Sequence, residues 1–142
     1  MKATTRTVVF DNEAVQALVD VAHPKHRRVL AAVEATAVRN LRRVGTVHLV
    51  VPTAVRVEAG WDRRAGHSVA INRLRAADSS LDRDAADQAA DIVTALGVSV
   101  ADAHLGSVLA TTPGPHSVLT SDEADVRRIS GHTGIPVTVV VV

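Results

Sequence analysis

The sequence predicts an α/β fold: a three-layer α/β/α sandwich around a central parallel sheet of four to five strands. Three observations carry this. Short β-rich segments alternate with helical ones along the chain. Those segments are continuous apolar runs, as in strands covered on both faces, unlike the alternating runs of a half-solvated sheet. The length, 142 residues, suffices for one domain with a proper core and falls short of two.

Residues 7–10 read as a short buried strand that Asp11 ends. Residues 13–21 place Ala14, Ala17, Leu18 and Val21 at helical spacing, and Pro24 punctuates. Residues 25–44 carry Val29, Val33, Ala37, Leu41 and Val44 along one stripe, with Arg28, Arg39, Arg42 and Arg43 off it. That is an amphipathic helix closed by Gly45. Residues 46–51 form a second β-rich run ended by Pro52, and Thr53 can cap a helix running through Glu58 towards Trp61. Residues 67–76 follow a helical pattern and residues 79–81 suit a brief strand. Residues 84–96 set Ala85, Ala89, Ile92 and Leu96 on one face and stop at Gly97, a usual residue just past a helix end. Ser99 opens a helix through Ala110. Residues 112–116, with two prolines and a glycine, make a loop. A strand over 117–120, a helix over 122–130 and a β-branched final strand over 137–142 complete the order.

In sheets of this kind, ligands sit beyond the carboxyl ends of strands, where the strand order switches. Acids recur at those positions. Asp11 ends the first strand, Asp122 ends the 117–120 strand, Glu58 lies in the helix after the second strand, and Asp102 lies in the first turn of the Ser99 helix. Each has a structural role open to it. Asp11 and Asp122 can cap the helices that follow them. Ser99-Val100-Ala101-Asp102 spells a capping box, and Glu58 can be a solvated helix position. Together, the four flank apolar segments expected to converge on one rim, where acids repel unless a cation holds them. Hard Mg²⁺ or Mn²⁺ ions take such oxygen ligands, and phosphodiester hydrolysis is the chemistry that most needs them.

Composition narrows the field. Cysteine is absent, which excludes disulfides, thiolate metal sites and a cysteine nucleophile. Phe10 and Trp61 are the only aromatics, so sheet-surface base stacking is excluded. The net charge is +1, and all cations but Lys2 and Lys25 are arginine. Arginine's planar fork suits phosphate, although a GC-rich coding bias gives the same skew. Arg63, Arg64, Arg127 and Arg128 are candidates for phosphate contact or for solvated surface. No lysine follows a glycine, no His-Glu-x-x-His or Gly-x-Ser-x-Gly occurs, and no late lysine exists for a phosphoacceptor receiver. His23 and His26 make a poor metal pair without a third ligand. His104 is expected at the surface or an interface, and Trp61 in the core or a dimer contact. No apolar run approaches the roughly 20 residues of a membrane span. The first ten residues do not spell a signal peptide, so the expected location is cytoplasmic.

Four segments in this order and spacing, VVFDNEAVQAL, TAVRVEAGW, SVADAHLGSVLA and SVLTSDEADV, resemble a PIN domain, most closely the small VapC-like ribonuclease toxins of bacterial toxin–antitoxin pairs. The resemblance covers essentially the whole chain and implies a single PIN-like nuclease domain over residues 1–142. It implies that Asp11, Glu58, Asp102 and Asp122 form an acidic metal pocket for Mg²⁺ or Mn²⁺, with Asp125 an additional ligand. It further implies metal-dependent cleavage of RNA leaving a 5′-phosphate, a small antitoxin partner and a homodimer. The chain departs from the family pattern in two places. Asn12 and Glu13 stand where many members carry a small hydroxyl residue, so that Glu13 is either an outer, water-mediated ligand or a first-turn acid favoured by the helix dipole. Arg56 lies two residues before Glu58. The alternative function is a non-catalytic PIN-like module acting through protein or RNA contacts.

Overall fold

The structure, a computed structural model, describes the backbone of residues 4–142 and the side chains of residues 6–36 and 47–142. In chain order the elements are β1 (Thr4–Phe10), α1 (Asn12–Val19), α2 (His26–Val44), β2 (Gly45–Pro52), α3 (Thr53–Ala59), α4 (Val69–Asn72), β3 (Ala77–Ser79), α5 (Arg83–Leu96), α6 (Val100–Thr111), β4 (His116–Thr120), α7 (Glu123–Thr133) and β5 (Val137–Val141). The five strands form one all-parallel sheet in the order β3-β2-β1-β4-β5. The chain therefore runs outward from β1 to β3 on one side, then returns across β1 to begin β4 on the other. The switch lies between β1 and β4.

Alternation along each strand divides the core into two apolar layers. Val8 and Phe10 of β1, Val51 of β2 and Leu119 of β4 face α1 and α2, packing on Val15, Leu18, Val29 and Val33. Their neighbours Val9, Val50 and Val118 face the other way, onto Leu105, Val108 and Leu109 of α6 and Val126 and Ile129 of α7. Helix α5 packs outside α6 through Ala89, Ile92 and Ala103. This is the expected three-layer sandwich, with five strands. Both faces being covered explains why the strands read as continuous apolar runs. The stripe positions Ala37, Leu41 and Val44, and Arg39, Arg42 and Arg43 beside them, lie outside the described side chains, as does Lys2.

Two expectations are corrected. The helix anticipated over residues 67–76 is a single 3₁₀ turn (Gly66–Ser68) followed by the short α4. Asn72 ends it: its amide accepts from Trp61 Nε1 at 3.0 Å and donates to the Arg63 carbonyl at 2.7 Å, and Arg75 then turns the chain with φ 55°. The brief strand lies at Ala77–Ser79 instead of 79–81. Its partner β2 ends where Ser79 meets Pro52, and the Leu81 N–H donates to Thr53 Oγ1 instead of to a strand.

Helix α6 lies between the sheet and α5 and is buried nearly all round, from Ala101 to Leu109. Gly106 permits that approach. A Cβ there would stand 2.6 Å from Ile92 Cδ1 and 3.0 Å from Ile129 Cγ2. Gly106→Val is expected to destabilise the protein by about 2–3 kcal/mol in urea unfolding, the usual scale of overpacking. A cost near zero would show that α5 can back away.

Candidate functional site

Asp11 leaves β1 at the switch point and is 7% exposed. It caps α1, its Oδ1 accepting the Ala14 N–H at 2.9 Å, while its own N–H continues the sheet to the Leu119 carbonyl at 3.1 Å. Burial raises its pKa above the ordinary carboxylate value. The Thr120 hydroxyl and the Ala14 and Ser121 N–H groups pull the other way.

Asp102 faces the same place from the first turn of α6. The Ser99 hydroxyl accepts its backbone N–H at 3.1 Å, so Ser99 caps the helix. The Asp102 carboxyl is pushed up to about 6, first by burial, then by the negative charges of Asp11, Asp125 and Glu58. Side chains from β1, α3, α6 and α7 are thereby gathered around one hollow at the carboxyl ends of β1 and β4.

Glu58 reaches this hollow from an exposed position on α3, its Oε1 accepting from Asn12 Nδ2 at 3.2 Å. Arg56 does not accompany it. Two residues apart on a helix, the side chains diverge, and Arg56 instead pairs with Asp78 of β3 at 2.9 Å. Asp122 is exposed, and its Oδ1 accepts the Asp125 N–H at 3.1 Å as the cap of α7. Asp125, one turn on and half-buried, is the α7 carboxylate whose charge bears on Asp102.

Cations divide these acids into two groups. Glu13 pairs with Lys25 at 2.8 Å and also accepts a short hydrogen bond from the Ser121 hydroxyl, and both hold its carboxyl below the usual range. Asp125 pairs with Arg128 at 3.2 Å. Among the described residues, no Lys, Arg or His is in ion-pair contact with Asp11, Glu58 or Asp102. The donor set is all carboxylate oxygen, which fits a hard divalent cation and not a soft one. As the side chains stand, no three His, Asp or Glu groups among the described residues are placed to hold an ion together. The chemistry of the donors therefore suits Mg²⁺ or Mn²⁺, and the carboxylates would have to draw inward to enclose one.

The remaining candidates are placed as follows. Arg63 pairs with Asp78 at 2.8 Å and Arg64 with Asp62 at 3.0 Å, while Arg127 faces Glu123 at 3.7 Å. His23 accepts the Lys25 N–H, and His26 bonds the Ala17 carbonyl. Trp61 is in the core, 3% exposed. His104 corrects the expectation of a surface position: it is fully buried, with Nδ1 accepting the Ala54 N–H at 3.3 Å, and burial lowers its pKa. The enclosure of α6 by α5 and α3 is the reason.

Sequence reasoning missed Lys25 and Gln16, and saw Asn12 only as a departure. No spacing signal points to Lys25, since its pairing crosses the loop between α1 and α2. Beside Glu58 lies an apolar groove of about 450 Å³ lined by Thr53, Ala54, Val57, Leu81, Val100 and Ala101. No family model matches the chain, and no curated protein matches it either.

Proposed function

We propose that this protein is a metal-dependent endoribonuclease of the PIN type, with Asp11, Glu58 and Asp102 as the core of its cation site and Asp125 joining from α7. The observation that supports the reading best is Asp102: a half-buried carboxyl with three acidic neighbours and no cationic partner. Such repulsion is a standing cost to the folded chain, and a site that carries it is organised for something positive.

A bound Mg²⁺ or Mn²⁺ would neutralise charge building up on the phosphorus and lower the pKa of water it coordinates. The chain's own part is positional. Asp11 is fixed by the α1 cap and by Thr120, Asp102 by the enclosure of α6, and Glu58 by Asn12. Arg128 sits on Asp125 at the rim, where it can release that carboxylate to a cation and meet an RNA phosphate instead. Asp122 serves this reading through the α7 cap, by fixing where Asp125 stands.

The partners follow from the same reading. The groove beside Glu58 exposes Val57 and Val100 and suits a second copy of the chain. A second groove of about 690 Å³, bordered by Val19, Val21 and Val69, suits an apolar segment of an antitoxin. No helix among the described residues is long and apolar enough to cross a membrane. A cytoplasmic location belongs to the proposal.

The test is purified protein with a panel of structured RNAs and Mn²⁺, beside Asp11→Asn. Cleavage by the parent alone is the expected result. Saturating Mn²⁺, at about 100 times its Kd, is expected to raise Tm by about 5–10 °C, and EDTA to reverse it. A parent that neither cleaves nor shifts would favour the non-catalytic module.

A further inference from the structure

We infer that Asn12 is a positioning residue for Glu58, itself oriented by Gln16, and that this pair of amides sets how tightly the acidic site takes a divalent cation. The inference rests on the metal-site reading above and adds to it residues that do not themselves touch the ion.

Glu58 needs outside help more than its companions. Asp11 and Asp102 have short side chains fixed by caps and burial, whereas Glu58 is long and stands exposed on α3. Free in solvent, it would lose side-chain freedom on engaging a cation. Asn12 Nδ2 donates to Glu58 Oε1 at 3.2 Å, which removes part of that freedom beforehand and leaves Oε2 outside that bond. Gln16, one turn later on α1, donates from Nε2 to Asn12 Oδ1 at 3.3 Å. The direction of the relay is dictated by chemistry. Ionised Glu58 can only accept, so the Asn12 nitrogen must face it and the Asn12 oxygen must face Gln16.

The placement also links two elements of the site. Asn12 directly follows Asp11, so one turn of backbone fixes the β1 carboxylate and tethers the α3 carboxylate. A carboxylate at position 12 would set two acceptors against each other. Asn12→Asp is therefore expected to be worse than Asn12→Ala, although it is the closer isostere and adds a potential ligand.

The experiment uses the full chain and two readouts. Mn²⁺ affinity, by electron paramagnetic resonance or calorimetry, is expected to fall about tenfold in Asn12→Ala, the lower end of what outer residues of metal sites contribute. It is expected to fall further in Asn12→Asp and less in Gln16→Ala. In the Asn12→Ala background, Gln16→Ala is expected to add nothing, since it acts only through Asn12. Asn12 and Gln16 are half-buried polar residues outside the apolar core, and melting curves without metal are expected to stay within about 2 °C of the parent. The second readout needs no metal: the Asn12 side-chain amide resonances are expected to shift in Glu58→Ala.

Parental Mn²⁺ affinity in Asn12→Ala overturns the inference, as does additivity of the Gln16 change. The amide resonances keep the two possible failures apart. A parent that binds no Mn²⁺, yet shows the Asn12 shift in Glu58→Ala, overturns the metal reading and the positioning role with it. Intact Mn²⁺ binding with unmoved Asn12 resonances overturns the positioning role alone.

Discussion

Asp102→Asn is expected to reduce RNA cleavage at least a hundredfold while making the metal-free protein more stable at pH 7.5. On the proposed reading Asp102 is a metal ligand, and its loss has to exceed the 10- to 100-fold typical of groups one layer out. The stability effect has the opposite sign because of where the Asp102 proton sits. Its folded pKa of about 6 lies above the roughly 3.9 of an unfolded aspartate. The folded chain therefore holds this proton more tightly, and the stability it contributes is complete below about pH 4 and lost as pH rises through 6. At pH 7.5 the parent carries an ionised, repelled carboxylate that asparagine replaces with a neutral amide. The gain is trimmed by solvent screening, since Asp102 is half-buried, and by the lost attraction of a first-turn acid to the helix dipole. A net rise of about 2–5 °C in Tm is expected at pH 7.5 without metal, and about a third of that at pH 4.5. Parental cleavage by Asp102→Asn would return Asp102 to the role of a helix first-turn acid.

Trp61→Ala is expected to destabilise the protein by about 3–5 kcal/mol, read in urea. Against a total stability of roughly 5–15 kcal/mol, that is enough to unfold a marginal domain. The ring lies in the layer that includes Val55 and Ile71, with Arg63 stacked 4.2 Å and Arg56 5.1 Å from its centroid. Both arginines also grip Asp78, and the indole N–H donates to Asn72. Removing the ring thus loosens the joint between the end of α3 and the edge strand β3, as well as leaving a cavity. Trp61→Phe keeps the apolar contact without the donor and is expected to lose about half as much. A cost below about 1 kcal/mol for Trp61→Ala would mean that the ring is not holding the core.

The fold was legible because its strongest signals are local. Apolar runs covered on both sides, a helix stopped by Gly97 and acids placed just after strands all follow from near neighbours in sequence. The alternatives for Asp11 proved compatible: the same carboxylate caps α1 and lies among the acids at the switch point. The separate parts of the α7 acids were not legible. Asp122 and Asp125 share one helical turn; Asp122 caps the helix and is exposed, and Asp125 is half-buried with its charge bearing on Asp102. His104 was misread because, two residues after Asp102, it points away from that acid's helical face, which suggested solvent, while its burial depends on α5 and α3 closing over α6. Asn12 and Glu58 are separated by 46 positions, and no periodicity announces such a pairing.

The enclosure of α6 gives the acidic hollow an uneven mechanical character. The wall bearing Asp102 is clamped between sheet and outer helix, and moves only if the core opens. The opposite wall, bearing Glu58, hangs on two amides at the solvent boundary. On the proposed reading, ions of different radius would be met by one firm wall and one that gives, and tolerance for cation size would lie chiefly with α3 and its tether.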